Sequence, residues 1–133
     1  MTQQIPVQTS RRSEFVEITG TVGQIVEESG LREGTCTVFV THTTAGVTIN
    51  ENADPSVVRD MLNHLEKLVP ADDRYTHREG NSDSHIKTSL MGSSVTVPVA
   101  NGRLLLGTWQ GIYLCEFDGP RSRSVLVTVN ADG

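Results

Sequence analysis

The sequence predicts an α+β protein with a mostly antiparallel, β-sandwich-like core and two or three helices. Short runs of alternating apolar and polar residues recur along the chain of 133 residues, which is the pattern of half-buried strands. One segment after Asp54-Pro55 carries a long apolar stripe at helical spacing. Strands and helices do not alternate as in parallel βαβ proteins, so an antiparallel sheet is expected. We expect residues 1–133 to form one domain.

The first part of the chain predicts strands around one short helix. Residues 8–19 are polar at first and apolar towards their end, and we interpret them as a strand. Thr19 is a candidate N-cap for a helix that ends at Gly30. Residues 35–41 alternate most clearly, and residues 47–50 follow as a second strand.

The middle of the chain predicts two helices separated by a polar loop. An acidic cap with proline at the first helical position marks the start of one helix at Asp54-Pro55, and Pro70 ends it. Residues 71–83 are polar and are predicted as a loop. Asp83 or Ser84 then caps a short second helix.

The last third of the chain is predicted to be β-structure. Asn101-Gly102 is a strong hairpin signal because both residues tolerate positive φ. Pro98 places its strand towards an edge of the sheet. The predicted strands cover residues 95–99, 104–106, 112–117 and 125–129.

Composition excludes several classes of protein. Eleven Lys and Arg residues against 16 Asp and Glu residues give a net charge of −5, so we expect no nucleic-acid partner. No apolar run is long enough to cross a membrane, and the first residues have no apolar signal core. We therefore expect a cytoplasmic protein, with Cys36 and Cys115 reduced and buried in strands. A hydrophobic content of 36% favours burial at a subunit interface.

Three of the four histidines are candidate metal ligands. His42 ends a predicted strand, whereas His77 and His85 lie in a polar segment rich in carboxylates. Imidazoles beside carboxylates suit Zn²⁺ or a related divalent ion. A solvated polar loop with capping residues explains the same pattern, and the spacing of His77 and His85 matches no strict ligand rule. His64 flanks the apolar stripe of the long helix and is interpreted as a half-buried or interface histidine.

Two further groups of residues are candidates for binding or catalysis. Glu51 stands between two asparagines directly after a strand, and this group offers oxygen ligands or a general base. A turn followed by a helix cap explains part of the same group. Trp109 and Gln110 lie between glycines, either as a bend with a core tryptophan or as a close approach to a ligand. Arg121 and Arg123 either bind a phosphate or form a solvated tail.

Four blocks of sequence resemble the signature segments of the YjbQ family, also named secondary thiamine-phosphate synthase. The blocks are residues 42–46, 50–55, 79–87 and 107–112, which read HTTAG, NENADP, EGNSDSHIK and GTWQGI. The resemblance runs from about residue 10 to residue 130. It implies a compact α+β fold, a homotrimer, and a polar pocket that includes the positions of His42, Glu51, His77, Asp83 and His85.

The resemblance also implies a transferase activity on a small phosphorylated metabolite. A pyrimidine diphosphate is joined to a thiazole phosphate, and pyrophosphate is released. On this hypothesis a divalent metal, Zn²⁺ or Mg²⁺, neutralises the leaving group. The expected roles are then these: His42, His77, His85 and Glu116 as metal ligands; Glu51, Asp83 and Lys87 as catalytic residues; and Asn52, Asn81, Trp109, Gln110 and Arg121 as substrate-binding residues.

Two other functions use the same residues and stay open at the level of sequence. One is a metal-dependent hydrolase of a small metabolite, with Glu51 as the base that activates water. The other is a trimeric module that binds a metal or an anionic metabolite without catalysis.

Overall fold

The strands form two facing sheets in the computed structural model, which describes residues 1–132. The elements in chain order are β1 (Thr2–Gln8), β2 (Glu14–Glu17), α1 (Thr19–Ser29), β3 (Gly34–Val40), β4 (Ala45–Glu51), α2 (Pro55–Leu68), α3 (Ser82–Met91), β5 (Ser94–Ala100), β6 (Arg103–Leu104), β7 (Gln110–Glu116) and β8 (Ser122–Ala131). One sheet has the order β1-β8-β3-β5-β6, the other β2-β7-β4, and every pairing is antiparallel. The predicted α+β, sandwich-like class is confirmed.

The core lies between the two sheets and helix α1. Every second residue of β3 and β8 faces inwards, so that Val38 and Val127 are fully buried against the smaller sheet. Val47 of β4 and Leu114 of β7 face them from that sheet. Val26 adds the apolar face of α1 to the same core. Burial of these aliphatic side chains is the main favourable contribution to folding.

Several local predictions are confirmed. The Asp54 carboxylate accepts a hydrogen bond from Ser56 N at 2.9 Å, and Pro55 occupies the first helical position of α2. Gly30 ends α1 with a φ of 73°. Asn101 and Gly102 both have positive φ, as the predicted hairpin turn requires.

Other local predictions differ from the structure. Residues 2–8 form strand β1, which was not predicted, and the strand predicted over residues 8–19 is limited to β2. The short β1 is defined by its pairing with β8, a partner more than 100 residues away in the chain. Thr19 is the first residue of α1 rather than its cap, and its hydroxyl accepts a hydrogen bond from Ile112 N. Helix α3 starts one or two residues before the predicted caps, at Ser82.

Helix α2 is less buried than its apolar stripe predicts. Within it Leu65 is buried, whereas Leu68 is 62% exposed. His64 is exposed, which corrects its interpretation as half-buried.

Cys36 and Cys115 are buried and unpaired, as expected, and burial raises the pKa of both thiols, for Cys36 to about 11. Within the described chain, none of the helices has the length and apolarity needed to span a membrane.

Candidate functional site

Helix α3 is fastened to one end of the smaller sheet, where β4 begins and β7 ends. Asn81, just before the helix, donates a hydrogen bond from Nδ2 to Asp118 Oδ2 at 2.8 Å. Ser84 donates its hydroxyl proton to the carbonyl of Phe117. Gly46 of β4 lies so close to the end of the helix that an added Cβ would be 2.5 Å from Gly92 O. This end of the sheet carries most of the candidate polar residues.

Three imidazoles border a group of adjoining cavities at this end. His77 and His85 have ring centroids 5.4 Å apart and nearly perpendicular planes, and both line a cavity of about 290 Å³. His85 also lines a second cavity, of about 500 Å³, together with His42. His85 therefore stands between the two spaces, and the three imidazoles predicted from sequence lie in one region of the fold.

The smaller of these spaces, called here the charged cavity, contains both acidic and basic side chains. Asp118 accepts a hydrogen bond from Arg121 Nη2 at 3.0 Å, and both residues line the cavity. Glu79 lies 4.0 Å from Nε2 of His77. Asn81 also lines it, and its Oδ1 is buried without a hydrogen-bond partner among the described residues. Such an unpaired acceptor is costly, and a bound ligand or ion is one explanation for it.

His42 is held in a single orientation by the backbone. Ser124 N donates a hydrogen bond to His42 Nε2 at 2.8 Å. A nitrogen that accepts a proton in this way carries none of its own, so the neutral ring bears its proton on Nδ1. Partial burial and the nearby Arg123 guanidinium lower the pKa of His42, which favours this neutral form. A metal on Nδ1 would remove the ring's last proton, so the predicted ligand role does not fit His42.

Glu116 is a buried structural carboxylate rather than an available metal ligand. It is fully buried and pairs with the buried guanidinium of Arg123, which also donates a hydrogen bond to Thr44 Oγ1. Thr9 Oγ1 and Asp118 N donate further hydrogen bonds to its two oxygens, at 2.7 and 2.9 Å. Burial is the largest single influence and raises the pKa of Glu116, but the hydrogen bonds from Arg123, Asp118 N and Thr9, together with the charge of Arg123, outweigh it, so the pKa is lowered overall. Both carboxylate oxygens of Glu116 therefore accept hydrogen bonds within the chain. Arg123 is held in the same pair, so it has a structural role rather than the predicted phosphate-binding role.

Asp83 and Lys87 form a buried charge cluster instead of the predicted catalytic pair. They lie one turn apart on α3, with Lys87 Nζ 3.2 Å from Asp83 Oδ2, and both are essentially inaccessible. Arg12 donates two hydrogen bonds to Asp83, and Lys87 donates one to Glu66 at 2.8 Å. This cluster ties α3 to α2 and to the segment after β1. Neither Asp83 nor Lys87 lines the charged cavity.

The spacing of Asp83 and Lys87 was visible in the sequence, but their partners Arg12 and Glu66 were not. Arg12 is 71 positions before Asp83, and Glu66 is 21 positions before Lys87. Both partners reach the cluster through tertiary folding, and no local pattern marks either of them.

The predicted residues around Glu51 and Trp109 lie at the other end of the smaller sheet. Glu51 is paired in register with Gln110, and Asn52 N donates a hydrogen bond to Trp109 O at 2.9 Å. The seven residues of β4 separate this group from the imidazoles by about 20 Å, at roughly 3.3 Å per residue. Trp109 is 62% exposed, which rules out the alternative of a core tryptophan. Within the chain, these residues therefore lie away from the imidazole cavities.

The donor set that one chain offers to a metal ion is incomplete. Among residues 1–132, no three or more His, Cys, Asp or Glu side chains are grouped so that they could hold an ion. His77 and His85 are two neighbouring imidazole donors on the charged cavity, which Asn81 also lines.

Comparison with known proteins identifies the family of this chain. The model of the family described as UPF0047 protein YjbQ-like matches residues 3–132. A UPF0047 protein of Methanocaldococcus jannaschii is 50% identical over 126 residues, covering 95% of this chain and 91% of the relative. YugU of Bacillus subtilis, also a UPF0047 protein, is 46% identical over 128 residues and covers 96% and 97%.

Solved structures agree with the family in fold. A YjbQ/UPF0047 protein of Clostridium acetobutylicum matches with a TM-score of 0.95 and 53% identity, covering 96% of this chain and 99% of that chain. A protein of Sulfolobus solfataricus, described as YbjQ-like and of unknown function, matches with a TM-score of 0.95 and 35% identity, covering 99% and 97%. The resemblance first seen in four short blocks thus extends over nearly the whole sequence, and the chain belongs to the YjbQ/UPF0047 family.

Proposed function

We propose that this protein is an enzyme that binds a small phosphorylated metabolite in the charged cavity. The observation that carries the proposal is the convergence of His77, His85 and Arg121 on one cavity. A guanidinium and imidazoles are suitable partners for phosphate oxygens. The side chain of Arg121 is 53% exposed, so a ligand can reach it.

The reaction proposed is that of a secondary thiamine-phosphate synthase, in which a pyrimidine diphosphate and a thiazole phosphate are joined and pyrophosphate is released. The charged cavity is the position for the diphosphate leaving group, with Arg121 binding its oxygens. Positive charge at this position favours departure of the group, because negative charge develops there in the transition state. We place this activity in the cytoplasm, consistent with the two unpaired cysteines.

A divalent metal ion is part of the proposal. His77 and His85 would hold the ion, with Asn81 Oδ1 as a further donor, and oxygens of the substrate or water would complete the coordination. Imidazole nitrogens favour Zn²⁺ over Mg²⁺, which prefers oxygen ligands. When bound, such an ion supplies positive charge to a phosphate or diphosphate group.

The test of this site compares His85→Ala with His64→Ala. His85 borders both cavities, whereas His64 is an exposed histidine of α2 and serves as a matched control. We expect His85→Ala to lose at least about tenfold in affinity for Zn²⁺ and for inorganic phosphate, since it removes one of few ligands. His64→Ala is expected to match the wild type. Metal content by plasma emission and phosphate binding by calorimetry measure both effects.

Turnover assays on the same proteins separate the possible reactions. The synthase predicts pyrophosphate release from the pyrimidine diphosphate only when the thiazole phosphate is present. Release without the thiazole phosphate would instead show a hydrolase. Binding of phosphate and metal with no turnover would reduce the protein to a binding module, and unchanged binding in His85→Ala would reject the site itself.

We propose that the protein assembles as a homotrimer through head-to-tail contacts between the two ends of the smaller sheet. One end carries the imidazoles and Arg121, and the other carries Glu17, Glu51 and the exposed Trp109. Burial of the exposed Trp109 favours contact between the two ends, and a head-to-tail interface closes into a ring when the rotation allows it. Glu51, Asn52, Trp109 and Gln110 of one protomer would then approach the cavities of the next, Glu51 as a base and Trp109 stacked on a heterocycle.

The trimer is tested by sedimentation of Trp109→Ser. We expect the wild type to sediment as three protomers and Trp109→Ser to dissociate, because a large exposed aromatic residue is a frequent anchor of an interface. Phe39→Ser is the control, since Phe39 is also an exposed aromatic residue but belongs to the other sheet. Dissociation of Phe39→Ser alone would place the interface on the larger sheet and contradict the proposed contact.

A further inference from the structure

Asp118 lies at the centre of the hydrogen bonds that hold Arg121 at the charged cavity. Its side chain is 15% exposed, and Oδ2 accepts one hydrogen bond from Arg121 Nη2 at 3.0 Å and another from Asn81 Nδ2 at 2.8 Å. The backbone oxygen of Asp118 accepts a third, from Arg121 Nε at 2.7 Å. Asp118 therefore contacts both the guanidinium of Arg121 and the residue that precedes helix α3.

Both partners in the contact between Asp118 and Arg121 are anchored to the fold. Asp118 N donates a hydrogen bond to Glu116 Oε2 at 2.9 Å, and Glu116 is paired with the buried Arg123. The backbone of Arg121 donates from N to Thr9 Oγ1 at 2.8 Å, and its oxygen accepts from Thr9 N at 2.9 Å. A half-exposed arginine without such contacts occupies many rotamers, and it loses that freedom when it binds a ligand.

The contact with Asp118 uses one edge of the Arg121 guanidinium and leaves another edge free. A guanidinium carries five N–H donors in a planar fork, and Nε and Nη2 lie along one edge of that fork. Both of these nitrogens donate to Asp118. Nη1 forms no hydrogen bond with any of residues 1–132, and with the second proton of Nη2 it makes up the end-on edge. Two parallel N–H groups of this kind pair with two oxygens of one oxyanion.

We infer that Asp118 is a positioning residue, which fixes the guanidinium of Arg121 so that the end-on edge, Nη1 and Nη2, is left for an oxyanion in the charged cavity. The inference rests on the proposed function in one respect, since it takes Arg121 as the residue that binds the anion. Asp118 does not bind the anion itself, because a carboxylate and an anion repel each other. It lowers the conformational entropy that Arg121 loses on binding, and it specifies a paired contact with a phosphate or a carboxylate.

The first test measures the order of the Arg121 guanidinium by NMR of protein labelled with ¹⁵N-arginine. Rotation about the Nε–Cζ bond exchanges Nη1 and Nη2, so a guanidinium held along one edge gives two separate Nη signals and a free one gives a single averaged signal. We expect two signals for Arg121 in the wild type and in Asp118→Asn, whose amide oxygen still accepts, and one in Asp118→Ala. The exposed Arg32 is the averaged reference, and the signals lost in Arg121→Lys assign the residue. One averaged signal in the wild type, or two in Asp118→Ala, would overturn the inference.

The second test measures the affinity of the same variants for inorganic phosphate and for acetate by NMR titration, at a temperature below their unfolding transitions. Asp118→Asn and Asp118→Ala remove the same charge, so the difference between them reports the hydrogen bonds of the side chain rather than electrostatic attraction. We expect Asp118→Ala to bind each anion about two- to tenfold more weakly than Asp118→Asn, which corresponds to the immobilisation of one long side chain. Asp60→Asn, at an exposed position of α2, is the control and is expected to bind as the wild type does.

The outcomes distinguish this inference from the proposed function. Phosphate binding with equal affinity in Asp118→Asn and Asp118→Ala would uphold the phosphate site and reject the positioning role of Asp118. Acetate binding that shows the expected difference between the two variants, while phosphate fails to bind, would uphold the positioning role and reject the phosphate site. If neither anion bound the wild type, the end-on edge of Arg121 would not receive an oxyanion, and the inference would be overturned.

Discussion

Glu116→Gln is expected to lower the free energy of unfolding by about 3–5 kcal/mol, the usual cost of removing one partner from a buried ion pair. Glu116 and Arg123 are both buried, and the pair is closed by Thr9 and by the amide of Asp118. A neutral amide at position 116 leaves the buried guanidinium without a counter-charge. Chemical denaturation, followed by far-UV circular dichroism, measures this loss.

The control for this experiment is Glu27→Gln, which removes the same charge from an exposed position of α1. We expect it to change the free energy of unfolding by no more than about 0.5 kcal/mol. If Glu116→Gln lowered the free energy of unfolding no more than Glu27→Gln does, the buried guanidinium of Arg123 would not need Glu116 as its counter-charge. It would also reopen the metal-ligand role for the carboxylate.

The contribution of Glu116 to stability is expected to depend on pH. Its pKa in the folded protein lies below the ordinary value of 4.5, so the folded state binds its proton less readily than the unfolded state does. The stabilisation is therefore fully present above that ordinary value and is lost as the pH falls through the lowered pKa. The difference in free energy of unfolding between the wild type and Glu116→Gln should accordingly shrink on acidification below pH 4.5.

Lys87→Met is the second substitution with a large expected effect, about 2–3 kcal/mol in the free energy of unfolding, since hydrogen bonds to charged groups are worth more than neutral ones. Lys87 is buried between Asp83 and Glu66, and methionine has a similar length but no charge. Asp83 keeps its two hydrogen bonds from Arg12, which limits the loss. Thermal and denaturant unfolding measure the change.

Lys67→Met is the matched control, because Lys67 is an exposed lysine in the last turn of α2. It is expected to leave stability within about 0.5 kcal/mol of the wild type. Lys87→Met with wild-type stability but without turnover would contradict the structural role and restore the catalytic role that the sequence suggested. Reduced stability with turnover retained at low temperature would uphold the cluster as a scaffold for α3.

Local chemistry explains which parts of the fold were predictable from sequence. Asp54-Pro55 and Asn101-Gly102 act on their own backbone within a few residues, so their structures follow from residue type alone. The alternation in residues 35–41 likewise predicts β3, because one face of the strand must be buried. Strand β1 was missed because its partner, β8, lies at the far end of the chain.

The candidate site was predictable in its residue types and only partly in its geometry. The histidine-rich pattern left a solvated loop open as an alternative, and the family resemblance implied the pocket near which His42, His77 and His85 lie. The activity implied by the resemblance placed Asp83, Lys87 and Glu116 beside them as reactive groups. The sequence does not show whether a carboxylate faces a cavity or a buried arginine. The burial of Glu116 against Arg123 in the structure distinguishes the two.

The sequence by itself determined the antiparallel α+β class and the helix that starts at Pro55, and it singled out the candidate histidines, because each of these depends on short-range pattern and side-chain chemistry. Only the tertiary structure decided that Ser124 fixes the proton of His42 and that Glu51 lies at the opposite end of β4 from the imidazoles. Protonation and distance depend on which atoms long-range packing brings into contact, and no neighbouring residue in the chain specifies those contacts.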